Sequence, residues 1–115
     1  MFKSVKYAGF EGRPELKALA ERAVTALAGV VRDWDAQIEL GLEAYADQPA
    51  GIELSLRLNL PAASGSGSRF LTRDELADPE VLEARCRSVW ARAMNSYIEL
   101  RKVAWAEIVN QPAEV

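Results

Sequence analysis

The chain has 115 residues with 14 Lys and Arg against 17 Asp and Glu, a formal net charge of −3, and half of its residues are hydrophobic. That is the composition of one globular domain spanning 1–115, and an acidic molecule meets phosphate backbones or anionic membranes only through a local basic patch. With no His and a single cysteine, Cys86, it lacks the usual metal ligand, the usual general base and any internal disulfide, so metal sites, cofactors and triad chemistry are not expected. The opening "MFKSVKYAGF" has no long apolar stretch of the signal-peptide kind, and no 18-residue apolar run follows, so a soluble, cytoplasmic, membrane-free protein is expected.

Residues 2–8, "FKSVKYA", alternate as a strand with Val5 and Tyr7 on one face and Ser4 and Lys6 on the other. In "RPELKALAERAVTALAGVVRDW", Pro14 sits at a first helical position, and Leu16, Leu19, Ala20, Ala23, Leu27, Val30, Val31 and Trp34 recur at three and four, predicting a helix over 13–33. "QIELGLEAY" and "GIELSLRLNL" are the clearest strands, with Ile38, Leu40, Leu42 and Ala44, then Ile52, Leu54, Leu56, Leu58 and Leu60, on one face. The turn "ADQPAG" joins them as a hairpin. If Ala44 pairs with Ile52, Glu43 faces Glu53 and Glu39 faces Arg57 on the solvent side. "PAASGSGS" reads as a flexible loop leading to a short fourth strand near Arg69–Thr72. Asp78 and Pro79 start a second helix and "NQP" stops it, giving 79–109, about 45 Å of helix over a sheet about 30 Å tall. The last helix must overhang or bend.

The order strand, helix, three strands, helix predicts an α+β fold: a two-layer β-α-β-β-β-α domain whose four-stranded sheet carries two helices on one face, with the first strand parallel to the second. On the second helix Leu82, Cys86, Val89, Ala93, Tyr97, Leu100 and Ala104 form a core stripe, with Arg85 and Arg92 on one flank. On the other flank Arg87 and Arg101 share the surface with Met94, Ile98 and Trp105. Cys86 within the stripe reads as a small hydrophobe, the Glu43 and Glu53 carboxylates as a solvated pair, and "SGSGS" lacks the Lys and helix start of a phosphate loop. No enzyme and no small-molecule substrate is expected.

In element order, element lengths, the early helix "RPELKALAERAVTALAGVV", the paired strands "AQIELGLEAY" and "GIELSLRLNL" and the long last helix, the chain resembles an acidic, divergent member of the ribosome hibernation factors, the ribosome-associated inhibitor or sigma-54 modulation family. The resemblance implies a fold like that of double-stranded-RNA-binding domains, binding to the small ribosomal subunit near the decoding channel, and inhibition of translation by occlusion. It also implies RNA contacts from basic residues along both helices, which are Lys17, Arg22 and Arg32 on the first and Arg85, Arg87, Arg92, Arg101 and Lys102 on the second. The alternative function is a non-catalytic protein-interaction module of the same fold that has lost RNA binding. The surplus apolar residues Met94, Ile98, Trp105 and Val109 suit a protein interface, most simply a homodimer.

Overall fold

A computed structural model describes residues 1–47, 49–61 and 63–109, with side chains as far as residue 103. The elements are β1 (Ser4–Ala8), α1 (Pro14–Val31), a 3-10 segment (Arg32–Gln37), β2 (Ile38–Tyr45), β3 (Gly51–Asn59), β4 (Ser64–Thr72), α2 (Arg73–Ala77) and α3 (Pro79–Val109). One mixed sheet runs β1-β2-β3-β4, with β1 parallel to β2 and the other pairs antiparallel. Two consecutive parallel strands need a crossover, and α1 supplies it. Both long helices pack on one face, so the domain is the expected two-layer α+β arrangement.

Alternation decides which face is covered. Ile38, Leu40 and Leu42 on β2 and Ile52, Leu54, Leu56 and Leu58 on β3 are buried, while Glu39, Gly41 and Glu43 and then Ser55 and Arg57 take the opposite face. The register sets Ala44 opposite Ile52, Glu43 opposite Glu53 and Glu39 opposite Arg57, as the alternation predicted. Leu16, Ala20, Ala23, Leu27 and Val31 of α1 and Leu82, Cys86, Val89 and Ala93 of α3 close the core from above. Small residues at the helix crossing let the two backbones approach, and the Cys86 thiol reaches the Ala23 carbonyl at 3.9 Å.

The helix ends follow their local chemistry. α1 starts at Pro14, whose missing N–H falls where a helix has no acceptor for it. It stops earlier than the periodicity suggested: Arg32 takes φ 51°, the only positive φ of a non-glycine among the described residues, and the chain tightens into the 3-10 segment. Trp34 therefore leaves the core stripe and is exposed. Asp78 caps α3 as predicted, its Oδ1 accepting from the Glu80 amide at 3.1 Å.

The main correction concerns "SGSGS". It is not loop but the first half of β4, which pairs with β3 from Asn59↔Ser64 to Gly51↔Thr72. Between β3 and β4 the Leu60 amide donates to the Ala63 carbonyl at 3.1 Å. The glycines are there because α3 lies directly on them: a Cβ at Gly65 would stand 2.2 Å from the Ala93 carbonyl oxygen, and one at Gly67 would stand 2.6 Å from that of Val89. Strand glycine here marks close approach of another backbone. The short helix α2 was also not foreseen, although "TRDE" carries its capping box: Glu75 N donates to Thr72 Oγ1 at 3.2 Å and Thr72 N donates to Glu75 Oε1 at 3.0 Å.

α3 outruns the sheet. Tyr97 still packs over Gly65, whereas Leu100, expected in the core stripe, is exposed because no strand lies beneath it. From Ile98 to Val109 the helix projects about 18 Å. No helix among the described residues is long and apolar enough to cross a membrane.

Candidate nucleic-acid interface

The eight basic residues expected to face RNA have different fates. Three are neutralised by carboxylates: Arg85 Nε pairs with Glu75 Oε2 at 2.6 Å, Arg87 Nη2 with Glu83 Oε1 at 2.7 Å, and Lys102 Nζ with Glu99 Oε1 at 3.6 Å. Arg85 is half-buried, and its pairing with Glu75 ties α3 to the cap of α2. That guanidinium, with the Thr72 amide, holds the Glu75 carboxyl below the usual glutamate range. Lys17 stands over the Tyr7 ring at 3.3 Å from its centroid and 5.7 Å from that of Phe10, a cation on a pair of edge-packed aromatics.

Arg22, Arg32 and Arg101 are exposed, and none has a carboxylate within 4.0 Å among the described residues. Arg22 borders a shallow depression between α1 and the start of α3, closed by Pro79 and Leu82. Arg32 stands at the strained end of α1, and Arg101 projects from the overhang of α3 beside Tyr97 and Ile98. These three are the helix cations free to meet phosphate. Arg92 departs from the helix layer: its Nη1 donates to the Ser68 carbonyl at 2.8 Å, so it wraps the β4 edge toward the outer face of the sheet.

The expected protein-interface residues also separate. Met94 is partly buried against the core, whereas Ile98 is 42% exposed and is joined by Leu100 at 47% and Val103 at 53%. The side chains of Trp105 and Val109 lie outside the described residues.

Cys86 is fully buried, and burial with the nearby Glu83 charge pushes its thiol up to about 11, so it is no thiolate nucleophile near neutrality. Glu43 and Glu53 do face one another, and hydrogen bonding to Glu43 with the charge of both carboxylates raises the Tyr45 hydroxyl above its ordinary value. They lie on an open sheet face. The described residues contain no group of three or more His, Cys, Asp or Glu placed to hold a metal. Two cations outside the helices were not singled out by the sequence, Lys6 and Arg57 on the outer sheet face; alternation placed them there, but nothing in it marked them as neighbours of Arg92.

Fold and surface together define a two-layer α+β domain with a helix layer of mixed charge that carries a few exposed cations, an exposed apolar helix end and no assembled catalytic centre among the described residues. No family model, curated protein or solved structure is significantly similar to the chain.

Proposed function

We propose that this chain is a non-catalytic domain of the hibernation-factor kind, which associates with the small ribosomal subunit through its helix layer and acts by occlusion. The observation that carries the proposal is the set of exposed guanidinium groups Arg22 on α1, Arg32 just past its end and Arg101 on α3, without carboxylate partners among the described residues. Guanidinium suits phosphate because its planar fork of donors matches two oxygens at once. The overhanging end of α3, which bears Arg101, extends the reach of that layer past the sheet. An acidic chain with so few free cations binds weakly, and its salt dependence is set by the small number of phosphates it contacts.

Co-sedimentation with purified small subunits over a salt series tests this. Three phosphate contacts predict roughly a 20- to 40-fold loss of affinity between about 50 and 200 mM salt. Arg22→Gln with Arg101→Gln should weaken binding at every salt concentration and flatten the salt slope. Absence of association at the lowest salt overturns the proposal.

The exposed Ile98, Leu100 and Val103 favour a second reading, a protein-interaction module whose simplest partner is another copy of the chain.

A further inference from the structure

The outer face of the sheet carries a feature independent of the helix layer. Two cross-strand rows run over it, Ser4–Glu39–Arg57–Ser66 and Lys6–Gly41–Ser55–Ser68, as set by the register of the four strands. Gly41 and Ser55, at the centre, leave the floor low, and the result is an open trough of about 620 Å³. Serine hydroxyls line its floor and Lys6, Arg57 and Arg92 stand around it.

Its charge runs against that of the molecule. Neither Lys6 nor Arg57 has a carboxylate within 4.0 Å among the described residues, although Arg57 stands opposite Glu39 in the register. Glu39 instead accepts from Asn59 Nδ2 at 2.8 Å, outside the row. Arg92 is pinned by the neutral Ser68 carbonyl, so its position is fixed and its charge is uncompensated. It reaches that edge because α3 settles onto Gly67, where a Cβ would stand 3.0 Å from the Arg92 Cβ. Three cations therefore face one carboxylate in a chain whose net charge is −3. In the next row Glu43 and Glu53 face one another beside Lys6 and Ser55, and their charges bar an anion from that end.

The cations extend from β1 to the outer edge of β4, three strand spacings or about 14 Å, which a single phosphate cannot bridge but a run of linked phosphates can. Phe70 follows Ser68 on the same face of β4 but stands opposite Glu53 and packs edge-on against Tyr45 at 5.9 Å, so this aromatic pair belongs to the acidic row that bounds the trough. We infer that the trough binds the backbone of a short single-stranded nucleic acid, with Lys6, Arg57 and Arg92 on the phosphates and the serines on sugar and phosphate oxygens. The inference does not rest on ribosome binding, which uses the other layer.

Fluorescence anisotropy with a labelled single-stranded RNA hexamer at about 50 mM salt tests it, with inorganic tripolyphosphate and duplex RNA of the same length as competitors. The full chain should bind the hexamer. Lys6→Gln with Arg57→Gln should weaken binding about tenfold or more, as should Arg92→Gln, while Arg22→Gln with Arg101→Gln leaves it within about twofold. Thermal unfolding should show every variant folded, because these side chains are exposed. No binding by wild type, or binding indifferent to the Lys6 and Arg57 pair, overturns the inference. Competition by tripolyphosphate or duplex equal to that of unlabelled hexamer at matched phosphate concentration overturns the assignment to a single strand.

Discussion

Gly65 and Gly67 matter through the atoms they lack. Any side chain there would meet the backbone of α3, so Gly65→Ala must push the helix off β4 or distort the strand, at a cost of about 2 kcal/mol or more. Gly29 is the opposite case: it lies inside α1, a Cβ there meets nothing within 4 Å, and Gly29→Ala should raise stability by about 0.5–1 kcal/mol. Urea denaturation of the two variants beside wild type reads both signs in one experiment. Cys86 gives a pH test. Its folded thiol is raised to about 11 from 9.0, so the folded state holds this proton more tightly than the unfolded one. The resulting stability is complete below about pH 9 and lost as pH rises through about 11. Wild type should lose more stability than Cys86→Ala between about pH 9 and 11, and the difference between the two isolates this thiol from the tyrosines titrating nearby.

The short helix α2 owes its existence to its first turn. Five residues cannot sustain a helix by propensity, and Leu76 contributes the one buried side chain of the element. The capping box of Thr72 and Glu75 and the Glu75 to Arg85 pair fix it between β4 and α3. Thr72→Ala should cost about 1 kcal/mol, measured as a drop of a few degrees in the thermal midpoint. Glu75 has a folded pKa below its ordinary 4.5, so its contribution is present above that value and disappears as pH falls through the folded pKa. Replacing Glu75 with Gln, or Arg85 with Gln, should lower stability at neutral pH and flatten the acid limb of the stability curve below about pH 4.5. A second tie, the ion pair of Arg73 with Glu15, joins α2 to the first turn of α1 and is solvent-exposed, so its loss should be nearly silent.

At the scale of the molecule, the overhang of α3 is a helix with nothing beneath it. Ile98 lies on one side and Leu100 and Val103 on another, so the apolar character goes around the helix instead of following one stripe. In an isologous contact a second copy would present the same patch of its own helix end to this one. If the protein-interaction reading holds, sedimentation of wild type should show concentration-dependent dimers, and Ile98→Gln with Leu100→Gln and Val103→Gln should give a monomer of unchanged thermal midpoint. A wild-type chain that stays monomeric at high micromolar concentration removes the homodimer. The two proposals are separable by residue: Arg22 and Arg101 variants should lower only subunit binding, and Lys6, Arg57 and Arg92 variants should lower single-strand binding.

Period and punctuation were enough to read most of the architecture. Strict alternation in "IELGLEAY" and "GIELSLRLN" selects both the strand and its buried face, since a slip of one residue would turn every leucine to water. Pro14, Asp78 and Pro79 start their helices because each supplies local hydrogen-bond geometry that needs no distant partner. What remained hidden depended on residues far apart in sequence. "SGSGS" has no hydrophobic period, so its strand character comes from the β3 backbone on one side and the roof of α3 above, both tertiary. Leu100 belongs to the helical stripe by spacing, but burial depends on whether a strand lies below, and the sheet has ended. Arg85 and Arg92 share a flank of α3 in sequence; Glu75 takes the first into an ion pair and the β4 edge draws the second to the opposite face of the sheet. The sequence by itself determined the elements, their order and the faces they bury, because those follow from backbone periodicity and local capping. Only the tertiary structure decided which cations stay free and that Lys6, Arg57 and Arg92 share one trough, because a charge is neutralised or left exposed by neighbours that only folding brings within a few ångströms.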